Sequence, residues 1–124
     1  MKKRLLIADD DDTVRSPLAT LLRTQFDVVE ARDGAEALRL ITRSTEPFHG
    51  IVTDGNMPRI DGIGVIKELC RLEIAHDLLV VMYTAGDRDY RRNAVRAGAE
   101  RVFEKPHDLP MLVEFLQHNL RSTP

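Results

Sequence analysis

The chain has 124 residues, one cysteine, four histidines and no long apolar run. With Cys70 as its one thiol, it cannot form an internal disulfide, which favours a reducing, cytoplasmic location. The histidines form no i,i+4 pair and no Cys/His cluster, which argues against a zinc site. No apolar run approaches the ~20 residues that a membrane span needs, so no membrane partner is expected.

The chain also lacks a strong excess of either charge, since its formal net charge is -2. This gives no reason to expect direct nucleic-acid binding. Hydrophobic residues make up 43% and charged residues 31% of the chain, as in a soluble globular protein. We expect one domain over residues 1–124, with 121–124 as a tail or the start of a linker.

Short apolar runs alternate with longer segments in which apolar residues recur at helical spacing. The runs predict five strands, at residues 4–8, 27–30, 50–53, 78–83 and 101–104. Strict alternation with right-handed crossovers predicts a three-layer α/β fold. In it, a five-stranded parallel sheet in flavodoxin-like order 2-1-3-4-5 lies between two layers that together hold five helices.

The helix boundaries follow from capping residues and periodicity. The second helix begins at 33–36 and ends near Ser44, the third begins after Gly62, the fourth spans 88–97, and Asp108 caps the fifth.

Two residues of the predicted helices need comment. Pro17 conflicts with a first helix that begins at Asp12, because proline lacks an N–H donor. Either Ser16 and Pro17 form the N-cap and first turn, or the helix is irregular there. Cys70 continues an apolar stripe of the third helix and is expected to be a buried structural thiol.

Polar side chains of different kinds follow four of the predicted strands. Asp9 and Asp10 follow the first strand, Asp54 the third, Thr84 the fourth and Lys105 the fifth. The carboxyl ends of parallel strands lie along one edge of the sheet, where ligands bind. Carboxylates, a hydroxyl and a lysine at this edge suggest a site for a divalent cation and a phosphoryl group.

The acidic groups should need a cation beside them. Two carboxylates about 4 Å apart repel by ~4 kcal/mol at an effective dielectric constant near 20. Oxygen ligands without histidine or cysteine favour Mg²⁺. We assign Asp9 and Asp10 to metal binding. Asp11 and Asp12 are interpreted as a solvated cap of the first helix, where acidic residues are favoured.

Five segments of the chain stand in an informative order: 5–11, 31–38, 54–62, 84–86 and 105–106. Together they resemble a response-regulator receiver domain, the phosphoacceptor half of two-component signalling and similar to the chemotaxis regulators. The resemblance covers nearly the whole chain. It implies that Asp54 attacks a phosphohistidine of a histidine kinase or a histidine phosphotransfer protein. Such a domain assists only its own phosphorylation and dephosphorylation and is not an enzyme acting on other molecules.

The resemblance also implies the roles of the neighbouring residues. Asp10 would bind Mg²⁺ directly, Asp9 would bind it chiefly through water, and the backbone carbonyl of Asn56 would complete the ligands beside Asp54. Lys105 would pair with Asp54 at rest and with the phosphoryl group afterwards, and its bond to Pro106 resembles the family's cis peptide.

Thr84 would turn its hydroxyl onto the phosphoryl group. In many receivers an aromatic residue of the fifth strand moves with this threonine, but this chain has Val102 there, so that coupling cannot operate in the usual way. Gly55 and Gly86 are small and leave the approach to Asp54 open. We therefore expect fairly rapid loss of the phosphoryl group.

The resemblance implies two contact surfaces. The first helix, with Val14, Arg15 and Leu18, is the family's usual docking site for the histidine-containing partner. The face of helix 4, strand 5 and helix 5 often binds the downstream protein. Tyr90 and the arginines of helix 4 form a solvated basic face or meet an acidic partner there. We expect a monomer or a phosphorylation-dependent dimer.

Other interpretations stay open at this point. The chain is a stand-alone receiver or a receiver excised from a larger regulator or hybrid histidine kinase. A Mg²⁺-dependent phosphatase with an aspartyl nucleophile usually has a second aspartate two positions on, where Asn56 stands. A flavodoxin shares the fold, but its phosphate loop is missing and the aspartates would repel a flavin phosphate. A receiver that is not phosphorylated is the third alternative.

Overall fold

The computed structural model describes residues 2–120, and its centre is a parallel sheet. Its five strands are β1 (Arg4–Ala8), β2 (Asp27–Ala31), β3 (Gly50–Thr53), β4 (Leu79–Thr84) and β5 (Arg101–Glu104). Their order is β2-β1-β3-β4-β5, and every neighbouring pair is parallel. The predicted sheet and its order are confirmed. The fourth strand is shifted by one residue and ends on Thr84 itself.

Four α-helices connect the strands in strict alternation, and a fifth follows β5. They are α1 (Asp12–Leu22), α2 (Gly34–Arg43), α3 (Gly62–Arg71), α4 (Arg88–Ala97) and α5 (Leu109–Asn119). A short 3-10 helix at Ala75–Asp77, which the sequence did not indicate, precedes β4. Within residues 2–120, no helix is long and apolar enough to span a membrane.

Alternate residues of the strands supply two separate cores, one on each face of the sheet. Leu6 and Ile51 belong to the core under α2, α3 and α4, whereas Leu5 and Val52 belong to the core under α1 and α5. All four side chains are at most 1% exposed. Each buried leucine or isoleucine contributes roughly 2 kcal/mol. Helix α4 buries only Ala94 of its ten residues.

Aspartates begin the helices at the carboxyl edge of the sheet. Asp11, Asp33, Asp61 and Asp87 each accept a hydrogen bond from a backbone N–H of the first turn. The interpretation of Asp11 as a cap is therefore confirmed. Asp108 stands at the N-cap of α5 but makes no such bond, contrary to the prediction. Its carboxylate accepts instead from the N–H of Glu104 at 2.9 Å, because the chain turns back on itself after β5.

Pro17 lies inside α1, so the second of the two alternatives is correct. The helix begins at Asp12 with Asp11 as its N-cap, and Ser16 and Pro17 do not form the first turn. Pro17 is on the exposed side of the helix. There, water can satisfy the carbonyl that loses its intrahelical partner.

Cys70 is exposed, which makes the prediction of a buried thiol wrong. The buried position at this end of α3 belongs to Leu69, which is fully buried. One residue along a helix is a rotation of about 100°, which carries Cys70 off the apolar face. Its Sγ lies 3.6 Å from the carbonyl oxygen of Ala97 at the end of α4.

Gly62, the first residue of α3, permits a close backbone approach that we expect an alanine to prevent. Its N–H donates to the Gly55 carbonyl at 2.8 Å. A Cβ at this position would overlap the Asp54 carbonyl oxygen and would lie 2.7 Å from the Met82 Cε. Gly62→Ala should lower the free energy of unfolding by about 2 kcal/mol or more, measured by urea denaturation.

Gly64→Ala is the matched control in the same helix turn. A Cβ there would meet only the half-exposed side chain of Ile60, at 2.9 Å, and the Asp61 carboxylate, at 3.2 Å. The better helix propensity of alanine offsets that contact, so we expect a change within about 1 kcal/mol. Equal losses of stability in the two variants would contradict the argument from close approach.

Candidate functional site

The sheet register brings the predicted site residues to one edge. Ala8 pairs with Thr53, so Asp9 and Asp54 follow neighbouring positions of adjacent strands. The backbone N–H of Asp54 donates to the Ala8 carbonyl at 2.7 Å. Thr84 ends β4, and the Lys105 N–H donates to its carbonyl at 2.9 Å. Five of the predicted residues, Asp9, Asp10, Asp54, Thr84 and Lys105, thus gather where the strands end.

Lys105 bridges the two buried carboxylates. Its Nζ lies 2.6 Å from Asp9 Oδ2 and 3.2 Å from Asp54 Oδ1. Asp9 is 4% and Asp54 8% exposed, so both charges are largely removed from water. The Lys105–Pro106 peptide is cis, as the resemblance implied. The predicted contact with Asp54 is present, and the shorter contact, with Asp9, was not anticipated.

The charges at this edge shift one another's protonation. Burial raises the pKa of Asp54, and the charge of Asp9 raises it further, against the opposing effect of Lys105 and the Gly55 N–H. For Lys105, burial acts to lower the pKa, but the carboxylates of Asp9 and Asp54 outweigh it, and the pKa is raised. Lys105 therefore stays charged, while the ionised form of Asp54 is destabilised by its burial and by the charge of Asp9.

The carboxylates of Asp9, Asp10 and Asp54 form a cluster suited to a hard cation. Each offers an oxygen, and these oxygens lie within 4.8 Å of one another. Asp9 uses both of its oxygens, one accepting from Lys105 and the other from the Asp11 N–H at 2.9 Å. Asp10 is exposed, and its carboxylate accepts no hydrogen bond from residues 2–120. Three carboxylates and no nitrogen or sulfur donor fit Mg²⁺.

A cleft of about 1010 Å³ opens over the cluster. Asp10, Asp54, Asn56, Thr84 and Lys105 line it, which places all the predicted site residues except the buried Asp9 on its wall. The Thr84 hydroxyl accepts a hydrogen bond from the Gly86 N–H at 3.0 Å. Asp54 binds through Oδ1 to the Gly55 N–H at 2.7 Å and to Lys105. Its Oδ2 accepts no hydrogen bond from the part of the chain that the structure describes.

Tyr90 also lines this cleft, and the sequence analysis did not assign it there. Its hydroxyl donates to the Gly55 carbonyl at 2.9 Å and lies 3.2 Å from Asp61 Oδ2. Burial, with the charge of Asp61, raises the pKa of Tyr90 to about 12. One signal was available. Asp87 caps α4, so Tyr90 is in its first turn, and helical side chains point back toward the N-terminus.

The expectation of an open approach beside Gly55 and Gly86 is wrong. A Cβ at Gly55 would lie 2.5 Å from Tyr90 Cε2, and one at Gly86 would lie 2.9 Å from Tyr90 Cδ2. The tyrosine ring fills the space that the two glycines leave. The expectation that the phosphoryl group is lost quickly rested on that space being empty.

Arg15 is 5% exposed and behaves as an internal support, contrary to its predicted place on a docking surface. Its Nη1 donates to the Asp9 carbonyl at 2.8 Å, and its Nε donates to Glu30 Oε1 at 3.0 Å. Leu18 is equally buried, since both residues lie on the side of α1 that faces the sheet. Any partner that approaches α1 meets its opposite side, which carries Thr13, Ser16, Pro17 and Leu21.

The chain belongs to the response-regulator receiver family, since residues 5–117 match the response regulator receiver domain. It is 36% identical over 125 residues to response regulator MprA of Mycobacterium sp. strain KMS, and the alignment covers 99% of this chain and 53% of MprA. It is 38% identical over 120 residues to transcriptional regulatory protein PrrA of Mycobacterium tuberculosis, which covers 95% of this chain and 50% of PrrA. The chain spans about half the length of these curated relatives.

Solved structures agree with this assignment. Chemotaxis response regulator CheY4 of Vibrio cholerae superposes with a TM-score of 0.83 at 25% identity, covering 97% of this chain and 100% of that one. A response regulator from Burkholderia pseudomallei, solved with a phosphorylated aspartic acid, calcium ion and citrate, gives a TM-score of 0.77 at 25% identity. That match covers 97% of this chain and 67% of the Burkholderia chain.

The raised pKa of Asp54 predicts how its charge affects stability. A carboxyl group whose pKa is higher in the folded than in the unfolded state costs stability once it is ionised. In a chelator, Asp54→Asn should therefore melt at a higher temperature than the parent near pH 7. The difference should shrink as the pH falls through the raised pKa of Asp54 toward the ordinary aspartate range near about 4. Thermal melts over this pH range measure it.

Asp77→Asn is the control for this comparison, because Asp77 is an exposed aspartate far from the site. It should change the melting temperature little at either pH. A parent that is more stable than Asp54→Asn at neutral pH would show that the Lys105 contact outweighs the burial of the charge.

Proposed function

We propose that this chain accepts a phosphoryl group on Asp54 from a phosphohistidine of a histidine kinase or histidine phosphotransfer protein. The observation that carries the proposal is the position of Lys105, which contacts both Asp9 and Asp54 at the point where Asp54 lines an open cleft. The receiver family to which the chain belongs is a phosphoacceptor module. The Burkholderia regulator with a phosphorylated aspartic acid supports the same chemistry.

The hydrogen bonds of Asp54 indicate which oxygen reacts. Oδ1 is held by the Gly55 N–H and Lys105, so we assign Oδ2, which has no hydrogen-bond partner among the described residues, as the nucleophile. In transfer, a bond forms between Oδ2 and phosphorus while the phosphorus–nitrogen bond to the histidine breaks. The electron pair leaves with the imidazole. The imidazole ends neutral, either because its other nitrogen already carries a proton or because it takes one from solvent. Positioning and charge neutralisation supply the catalysis.

Two side chains stand where the transferred group would carry its charge. Lys105 offers its ammonium, which stays protonated because the carboxylates raise its pKa. Thr84 is 1% exposed and offers a hydroxyl at the end of β4. That hydroxyl accepts from the Gly86 N–H and still has its own proton to donate to a phosphoryl oxygen. The two hydrogen bonds would together connect the phosphoryl group to the loop that leads into α4.

Mg²⁺ is the cofactor of the proposal, and Asp9, Asp10, Asp54 and the backbone carbonyl of Asn56 would hold it. When bound, it neutralises charge on the transferring phosphoryl oxygens. Of the two aspartates after β1, Asp10 would bind the ion directly because its carboxylate is free, whereas Asp9 is already bonded to Lys105 and the Asp11 N–H and would bind chiefly through water.

The wider biology follows the family. The proposal covers one receiver domain over residues 1–124, of which 121–124 lie outside the described residues. We place it in the cytoplasm. The downstream protein would bind the face of α4, β5 and α5, where Arg88, Arg92 and Arg96 are exposed. Neither direct nucleic-acid contact nor a membrane partner is proposed, and the chain acts as a monomer or a phosphorylation-dependent dimer.

The test of the proposal is the intact mass of the protein after incubation with Mg²⁺ and acetyl phosphate. The parent should gain one phosphoryl group, and Asp54→Asn should gain none. With a chelator in place of Mg²⁺, the parent's gain should fall by at least about tenfold, since an unscreened acidic site repels the donor. A parent that stays unmodified, or an Asp54→Asn variant that is modified equally, would refute phosphorylation at Asp54.

The division of roles between the aspartates gives a second prediction. Asp10→Asn should weaken Mg²⁺ binding by about tenfold or more, equal to ~1.4 kcal/mol, because it removes a free charged ligand. Isothermal titration calorimetry measures the affinity. Asp27→Asn removes the same charge at the other edge of the sheet and should leave binding unchanged. Equal weakening by the two variants would reduce the effect to net charge.

A further inference from the structure

We propose that Tyr90 forms a wall of the acceptor pocket that shields phosphorylated Asp54 from water and so sets the lifetime of the phosphoryl group. This inference rests on the proposed function. In this chain the residues beside the acceptor, Gly55 and Gly86, have no side chain that could exclude water, and Tyr90 of α4 does so in their place.

The ring of Tyr90 occupies a space that the strand-end residues leave. A Cβ at Gly55, the residue after the acceptor, would lie 2.5 Å from Tyr90 Cε2 and 2.7 Å from Thr84 Oγ1. The ring edge and the Thr84 hydroxyl therefore flank the same small volume next to Asp54. On the other side, a Cβ at Gly86 would lie 2.9 Å from Tyr90 Cδ2 and 3.3 Å from its Cβ.

The hydroxyl of Tyr90 fixes the ring in this place. It donates to the Gly55 carbonyl, which belongs to the loop after β3, and it lies beside the carboxylate of Asp61, which caps α3. Arg91, the next residue of α4, donates from Nη1 to the Gly86 carbonyl at 2.6 Å. The ring is thus held from the acceptor's own loop and from the loop after β4.

Loss of the phosphoryl group requires a water to reach phosphorus opposite the Asp54 oxygen. The water oxygen bonds to phosphorus, the bond from phosphorus to Asp54 breaks, and its electron pair restores the carboxylate. The water's proton goes to the departing phosphate or to solvent. A side chain that excludes water from the pocket slows this step. With glycine at both 55 and 86, the Tyr90 ring is the bulk that stands there.

The test compares the decay of the phosphorylated parent with that of Tyr90→Phe and Tyr90→Ala. Each protein is phosphorylated with acetyl phosphate and Mg²⁺, freed of donor by rapid desalting, and followed by intact mass. Tyr90→Ala should lose its phosphoryl group about tenfold faster than the parent. Tyr90→Phe keeps the ring without its hydrogen bonds and should lose the group about threefold faster. Lys67→Ala, at an exposed α3 residue outside the cleft, should decay like the parent.

The outcomes separate this inference from the proposed function. A parent that takes up no phosphoryl group overturns both. A parent that is phosphorylated, with Tyr90→Ala decaying at the parental rate, overturns the role of Tyr90 alone. Melting temperatures establish which variants are folded at the assay temperature. Should Tyr90→Ala not fold, Tyr90→Leu, which removes the ring but keeps an apolar side chain, is measured in the same way. A parental rate of decay in that variant overturns the inference.

Discussion

The site depends on the ammonium of Lys105 lying between Asp9 and Asp54. Two carboxylates buried side by side would repel strongly and draw protons, and a buried charge without a partner is among the costliest features of a fold. Lys105 comes from the last strand end, distant in sequence from both. The fold must therefore be complete before the carboxylates are neutralised. The reactive edge is a product of tertiary structure and cannot form in an isolated segment.

The rest of the edge is built by repetition. Parallel pairing fixes the register, with Ala8 beside Thr53 and Thr53 beside Met82. Strands β1 and β3 therefore end at the same level, whereas β4 continues two residues further to Thr84. Aspartates that cap the following helices add negative charge around the cleft. Arg15 donates hydrogen bonds both to the Asp9 carbonyl and to Glu30 of β2, so it fixes the acidic loop after β1 to the neighbouring strand. Charge and backbone geometry thus reinforce one another.

Periodicity and turn chemistry predicted the strands and the helices, because these depend on local patterns. The order of the sheet followed from the right-handed crossover rule and the known order of doubly wound folds. The residues at the strand ends were predicted because topology alone brings them together. Contacts that depend on which way one side chain turns were missed. Tyr90 was placed with the exposed arginines of α4, and Arg15 with a docking face, although both point toward the sheet edge. Cys70 was misplaced by one residue, which on a helix is enough to change burial.

Helix α4 buries only the small side chain of Ala94. Exposing apolar surface costs about 25 cal/mol for each Å². A shift of α4 would expose little such surface and would therefore cost little free energy. Its position is held instead by polar contacts at its first turn, from Tyr90 and Arg91 to the loops beside the acceptor. The energy of α4 is thus concentrated at the end nearest the chemistry. A change of one charge at that end can therefore shift the position of the whole of α4. The same change would not shift α5, which is held by the buried Leu112 and Leu116.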